Sequence, residues 1–393
     1  MEKANYLDFI SNNKTALVNY NEFYNVSKYI KDKEIKIDHD ELKKFKKNID
    51  DDNGKLYLTD EKLLEIVSAV LSGKHIILYG PPGTGKTTIA KQISKLFMCD
   101  YDLVTATSDW STYHTVGGLK ITSKDGVENF EPVNGHITKA IIKCCNAIGR
   151  NMINKINKHS GHWLIIDELN RADMDKAFGQ VFTALDPDNS LIKLDFHESK
   201  YKKEIFVPRR FRIIGTINNY DKDFLYHISY ALMRRFAYIY IGIPENEIEK
   251  DKEFNNIKNK VVEEVEKKLN LTYSLEELNK DFKDIIEDLK KIVYMIRPNE
   301  NKKQEELSRE IGFAQFKDTL QYIVISYKTL SNNNVLDVEK KDLLDISLAA
   351  NIIPQLEGLN KTQLENLRTN LNSKYSYLNK TNRTLLEHIN SGF

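Results

Sequence analysis

Between His75 and Thr88 the chain reads HIILYGPPGTGKTT, and no other segment limits so sharply what it can fold into. Gly80, Gly85, Lys86 and Thr87 satisfy G-x-x-x-x-G-K-[ST], with Gly83 as a further glycine inside the loop. An apolar run precedes the motif, and Ile89, Ile93, Leu96 and Phe97 repeat behind it at helical spacing. That strand–loop–helix context is the one the motif requires. A loop of Gly80, Pro81, Pro82, Gly83, Thr84 and Gly85 can wrap a triphosphate so that backbone N–H groups and the helix N-terminus point at its oxygens. Lys86 is then expected to neutralise β/γ-phosphate charge and Thr87 to place its hydroxyl on Mg²⁺, with Thr88 completing the nucleotide-contacting stretch.

From residue 75 to 241, short apolar runs alternate with helical patterns, which predicts a parallel sheet flanked by helices. The candidate strands are His75–Tyr79, Leu103–Ala106, Trp163–Asp167, Phe211–Ile217 and Ala237–Ile241. The central ones are apolar throughout, as befits strands covered on both faces. Ahead of them, Thr59 opens a helix with Leu63, Val67, Val70 and Leu71 as its apolar stripe and Gly73 as its stop. Beyond Pro244 the texture changes to charged helical stretches around Asp251–Lys291, Gly312–Tyr327 and Lys341–Ile353, with Asn351–Gly358 reading as a helix stop and a domain edge. Three parts are expected: a helical N-terminal extension over 1–58, an α/β core over 59–244, and an all-helical part over 245–393. Asp50–Gly54 mimics a calcium loop only superficially, because Ile49 would stand where the first carboxylate ligand belongs.

Two strand ends carry chemistry. Asp167 and Glu168 close an apolar strand at the sheet edge where open α/β sheets bind ligands. Asp167 suits the shell of a metal ion, and Glu168 can take a proton from a water attacking the γ-phosphate. Asn218 ends another strand with an amide able to bond both that water and a phosphate oxygen. Arg234 and Arg235 precede the last strand, where their forks are either surface salt-bridge partners or charge stabilisers for a phosphate.

The remaining composition is restrictive mainly by exclusion. With 58 Lys+Arg against 57 Asp+Glu, the formal net charge is +1, so the chain is no bulk polyanion binder. Three cysteines in 393 residues cannot make a disulfide framework. Cys144 and Cys145 are adjacent, Cys99 is remote, and the histidines lack ligand spacing, so the cysteines are expected to be small buried hydrophobes and Trp163 a core residue. No run approaches the roughly 20 apolar residues of a membrane span, and the first ten residues resemble no leader. A soluble, cytoplasmic protein without membrane contact is expected.

In order, GPPGTGKT, LIIDELNRAD, IIGTINNYD and ALMRRF resemble the AAA+ ATPases, and within them the MoxR/McrB branch. The run Asp167-Glu168-Leu169-Asn170-Arg171-Ala172 is similar to the D-E-[IL]-N-R-A block of that branch, and Gly215-Thr216-Ile217-Asn218 to its G-T-M-N strand. The resemblance spans about residues 75–245. It implies a P-loop NTPase fold of the AAA+ kind, an αβα core with a five-stranded parallel sheet and a C-terminal helical lid. It further implies that ATP or GTP and Mg²⁺ are the cofactors, that Asn218 is sensor 1, and that Arg234 and Arg235 are candidate arginine fingers reaching a neighbouring subunit of a ring, commonly a hexamer.

The same branch carries an insertion, here resembled by Thr105–Ile137, and a hairpin, here by Leu191–Leu194 with Ile205–Val207. Lys200, Lys202, Lys203, Arg209, Arg210 and Arg212 make the hairpin's neighbourhood basic, which leaves contact with a polyanion or an acidic partner open beside the plainer reading of a charged edge. Two departures stand out. Met233 replaces the branch's common third arginine, and Arg309 is the sole arginine in the block SREIGFAQ, where a sensor 2 arginine would be sought. Resemblance to McrB implies a motor of a restriction or phage-defence complex with a separately encoded nuclease. Resemblance to MoxR proteins implies a chaperone that remodels client proteins, and a nucleotide-gated assembly switch is the alternative from another class.

Overall fold

The computed structural model describes residues 27–28, 30, 34–35, 37, 39–50, 58–124, 127–154, 160–179, 181–186, 190–194, 204–218, 233–298, 309–332 and 338–391. Its contacts divide the chain into two units: one built on Leu58–Gly80 and Lys86–Ile241, the other on Pro81–Gly85 and Gly242–Phe393. A helix α1 (His39–Asp50) stands in the expected extension, while Asp51–Gly54 of the calcium-loop mimic fall outside the described residues.

Helix α2 (Asp60–Leu71) opens the first unit. Thr59 caps it by accepting the Lys62 N–H at 3.2 Å, and Asp60 and Glu61 complement the dipole of its first turn. Leu63, Ile66, Val67 and Val70 are buried, whereas Leu71, expected in the stripe, is 47% exposed. Ile66 takes its place, because spacing of i, i+3, i+4, i+7 wraps less far around the helix than a stripe reaching i+8.

The sheet follows in the order β2 (Cys99–Thr105), β5 (Gly161–Asp167), β8 (Ile213–Asn218), β1 (His75–Gly80), β9 (Phe236–Tyr240), every pair parallel. All five expected strands are present. The three central ones are buried almost end to end, and the two edge strands are not. That difference explains the largest displacement of a boundary, the others shifting by one or two residues. β2 begins at Cys99 rather than Leu103 because Asp100 and Asp102 lie on an edge strand, where polar side chains meet water without cost. Helix α3 (Lys86–Leu96) packs on β1, β2, β5 and β8, and α5 (His136–Asn154) on β2 and β5. Trp163 is fully buried against Phe97 and donates its indole N–H to the Arg210 carbonyl at 2.9 Å. Cys99, Cys144 and Cys145 are buried thiols; burial pushes Cys99 up to about 12 and Cys144 up to about 11.

The insertion contains a short helix α4 (Thr112–Thr115) and an antiparallel hairpin of β3 (Gly117–Lys124) with β4 (Val127–Asn134). The second hairpin pairs β6 (Leu191–Lys193) with β7 (Glu204–Phe206), as the family resemblance implies; Lys200, Lys202 and Lys203 lie outside the described residues.

The second unit holds six helices among the described residues: α7 (Glu247–Leu269), α8 (Leu275–Ile296), α9 (Phe313–Asn332), α10 (Lys340–Asn351), α11 (Lys361–Lys374) and α12 (Asn379–Ser391), numbered after α6 (Met174–Phe178) of the first. The stretch Asp251–Lys291 is therefore two helices, parted at Asn270, which adopts φ 51°, and restarted by a Ser274–Glu277 capping box. At its centre the guanidinium of Arg297 grips Glu253 through both nitrogens, at 2.5 and 3.0 Å, and its Nε donates to the Ile311 carbonyl at 2.8 Å. Asn351–Gly358 does stop a helix, but it is not a domain edge. Leu356, Leu359, Leu364, Leu371 and Leu385 join the same apolar core as Val261 and Leu289, and Asp345 accepts the N–H groups of Lys380 and Thr381, both at 2.7 Å.

Candidate functional site

Parallel pairing brings the functional strand ends to one edge. Gly80 lies level with Asn218, and Ile166 with Gly215, so Asp167 emerges beside Thr216. Thr87, in the first turn of α3, donates its hydroxyl to Asp167 Oδ1 at 2.7 Å, and Thr216 donates to the same oxygen at 2.5 Å. The Thr216 hydroxyl oxygen in turn accepts the Glu168 N–H at 3.1 Å. Lys86 is 5% exposed and donates to the Gly80 carbonyl at 2.9 Å. Two strand ends and the first turn of α3 thus bring a carboxylate and two hydroxyls together, with the buried Lys86 next to Thr87 in the chain.

The residues fit a divalent cation that takes the rest of its shell from phosphate and water. Two neighbouring ligands of octahedral Mg²⁺ are about 2.9 Å apart for metal–oxygen distances of 2.0–2.1 Å, close to the 2.7 Å between Thr87 Oγ1 and Asp167 Oδ1. Among the described residues no group of three or more His, Cys, Asp or Glu could cage a metal by itself.

Glu168 leaves the strand differently from its neighbour. The strand ends at Asp167 and Glu168 adopts φ 52°, ψ 47°, so the two carboxylates diverge because of a left-handed turn, not through the alternation of a strand. For a non-glycine residue that conformation costs about 1–2 kcal/mol. Glu168 is 30% exposed on its side chain and forms an ion pair with Arg171, three residues on. Asn218 is half-buried at the end of β8, and Asn219 lies outside the described residues.

The loop is shaped by two glycines. A Cβ on Gly80 would stand 2.1 Å from the Ile241 carbonyl oxygen, so the strand end passes β9's exit at a distance only glycine permits. Gly85 has φ +84°, and a Cβ there would meet nothing within 4 Å: the backbone conformation requires glycine, while the space beside it stays open for a ligand. Pro81–Gly85 belongs to the second unit, and within that unit the Ala314 N–H donates to the Gly83 carbonyl at 3.0 Å. The residue whose side chain approaches Gly83 is Gln315. Arg309, the sole arginine of its block, instead donates Nε to the Gln355 carbonyl at 2.8 Å.

The two candidate finger arginines part company. Arg235 is paired with Asp186 at 3.0 Å, with side-chain exposures of 17% and 35%, whereas Arg234 is exposed. Their backbone is held from β1's approach: Lys74 Nζ donates to the Arg234 carbonyl, and the His75 N–H to that of Arg235 at 3.0 Å. Met233 packs partly buried against the core, as a side chain in place of a third arginine can.

Thr216 and Arg171 stand in the sequence only as members of the family-like blocks, without a role of their own, and Asp186 does not stand out at all. Thr216 had a signal: it is the sole hydroxyl in the apolar run IIGTIN. The pairings of Arg171 and Asp186 had none, since each depends on a backbone turn or a distant segment.

With this geometry in place, the comparisons with known proteins fall into line. Residues 75–236 match the AAA domain of the dynein-related subfamily. That stretch is similar to AAA+ proteins of the McrB/MoxR type, and the chain has the α/β P-loop fold with a helical C-terminal region. Among its relatives, it is 28% identical over 199 residues to the type IV methyl-directed restriction enzyme EcoKMcrB subunit of Escherichia coli strain K12, covering 47% of this chain and 39% of that one. It is also 32% identical over 114 residues to the uncharacterized protein YojN of Bacillus subtilis strain 168, covering 29% of this chain and 32% of that one. The chain therefore spans well under half the length of either relative. No helix among the described residues is long and apolar enough to cross a membrane.

Proposed function

We propose that the protein is a Mg²⁺-dependent nucleoside triphosphatase, with ATP the expected and GTP the alternative substrate. Assembled into a ring, commonly a hexamer, it would drive a restriction or phage-defence complex with a separate nuclease. The observation that carries the hydrolase reading is the hydroxyl of Thr87 bonded to Asp167 at 2.7 Å beside a glycine-shaped loop and a buried lysine. The restriction reading is supported by the likeness to the Escherichia coli restriction subunit.

Each residue has a distinct task in that chemistry. Lys86 and the loop N–H groups hold the phosphates, and Thr87 and Asp167 supply the hydroxyl and carboxylate for the metal, whose charge offsets that of the phosphates. Glu168 accepts the proton of the attacking water, Asn218 aligns that water through its amide, and an arginine from a neighbouring copy steadies the departing charge. Phosphate release measured with ATP and GTP at equal concentration should show turnover with at least one, abolished by EDTA and in Lys86→Ala; no release with either nucleotide would sink the proposal.

Thr216 is a positioning residue in this scheme, because its hydroxyl meets both Asp167 and the Glu168 backbone. Thr216→Val keeps the shape and removes both bonds, each worth about 0.5–1.5 kcal/mol. The Mg²⁺ concentration for half-maximal turnover should rise several-fold, with the melting temperature lowered by roughly a few degrees for the two bonds lost. An unaltered Mg²⁺ titration would remove Thr216 from the metal's support.

A further inference from the structure

A cavity of 240 Å³ opens in the first unit, at the edge of the sheet opposite the phosphate-binding one. His75, which begins β1, and Phe211 and Arg212, just before β8, line it, so it lies about 16 Å along the strands from the phosphate-binding edge. Its walls are partly apolar: Phe211, Val207 and Leu71 contribute, which gives the exposed leucine at the end of α2 a place the helical stripe does not.

Two carboxylates and two arginines line the cavity, and with Arg235 standing behind Asp186 the cations exceed the acids by one. Its two carboxylates are already engaged, Glu34 with Arg209 at 3.2 Å and Asp186 with Arg235 at 3.0 Å. Arg212 has no such partner. It is 4% exposed, donates to the carbonyls of Arg209 at 2.7 Å, Phe211 at 2.8 Å and Val70 at 2.9 Å, and among the described residues no carboxylate lies within ion-pair distance of it. Three carbonyl dipoles, of which only that of Val70 is at a helix end, offset only part of a full charge, and a buried cation usually has an acid beside it. Burial brings the guanidinium down to about 10. His75 adds a neutral donor: burial, and then the charges of Arg212 and Arg235, push its imidazole down to about 3, and its Nδ1 accepts the Ile213 N–H at 2.9 Å, leaving the proton on Nε2.

We propose that this cavity is a binding site for a compact organic anion, a single carboxylate or phosphate group on a small apolar body. Arg212 supplies the charge, His75 a hydrogen bond, and Phe211, Val207 and Leu71 the apolar contact. The volume falls below the 300–1,000 Å³ of pockets for drug-sized ligands, which sets the size class. Asp186, in the wall, also holds Arg235, so the occupant would sit against the segment that carries the arginine pair.

The test is calorimetric titration of the whole protein with benzoate, phenyl phosphate and the uncharged isostere benzamide. Benzoate or phenyl phosphate should bind with Kd of about 1 mM or tighter, and benzamide at least about tenfold more weakly, the difference of about 1.4 kcal/mol that one charge-assisted contact accounts for. Arg212→Met should lose the anion preference, Arg212→Lys should keep part of it, and Lys86→Ala should leave it intact. Equal binding of benzoate and benzamide, no saturable binding of any probe, or loss of binding in Lys86→Ala, which would place the anion on the phosphate loop, each overturns the proposal. The benzoate–benzamide comparison uses the unaltered protein, so it decides the matter even if the Arg212 variants fail to fold.

Discussion

Replacing Glu168 by glutamine is expected to lower kcat for nucleotide hydrolysis by about 10²–10⁴-fold, the range general-base catalysis contributes, while nucleotide binding survives. The substitution keeps the volume and removes the ability to take a proton. It also dissolves the ion pair with Arg171, which is half-exposed and worth about 0–1 kcal/mol, so stability should hardly change. The left-handed backbone at Glu168 remains, because glutamine meets the same cost there as glutamate. Single-turnover phosphate release beside equilibrium binding of a fluorescent nucleotide analogue separates the two effects. Wild-type turnover in Glu168→Gln would remove Glu168 from the chemistry, and loss of binding would recast it as a structural residue.

What could be seen in advance follows from how far apart the interacting residues are in the chain. The phosphate loop, the Asp167–Glu168 pair and Asn218 stood out because each is a short contiguous string whose residue types make sense only at a strand end. The central strands were legible for a similar reason: burial on both faces demands apolar runs such as WLII in β5 and IIL in β1. The edge strand β2 hid its start behind Asp100 and Asp102, since an edge imposes no such demand. Asn351–Gly358 looks like a boundary because a Pro-containing stop ends a helix locally. Whether a core continues beyond it is decided by leucines dozens of residues away, which periodicity cannot relate to one another. The pairing of Arg235 with Asp186 crosses 49 positions and left no trace in the sequence.

That pairing makes the two arginines unequal, and the expected result is a large effect for one and a small effect for the other. Arg234→Ala should cut turnover by about 10³–10⁵-fold, the contribution of an arginine finger, because its side chain is exposed and available to a neighbouring copy. For Arg235 to serve instead, it would have to leave a partner at 3.0 Å and abandon a carboxylate that is only 35% exposed, at a cost of about 1–3 kcal/mol for the group left unsatisfied. Arg235→Ala should therefore act chiefly on stability, lowering the melting temperature while turnover falls far less. Mixing separates a shared site from a private one. Lys86→Ala supplies an intact Arg234 to a neighbour, and Arg234→Ala supplies an intact phosphate loop, so rings assembled from both should regain a fraction of wild-type turnover that neither has alone. Equal losses in the two arginine variants would put Arg235 back in contention, and failure of every mixture to recover would mean that no subunit completes the site of another.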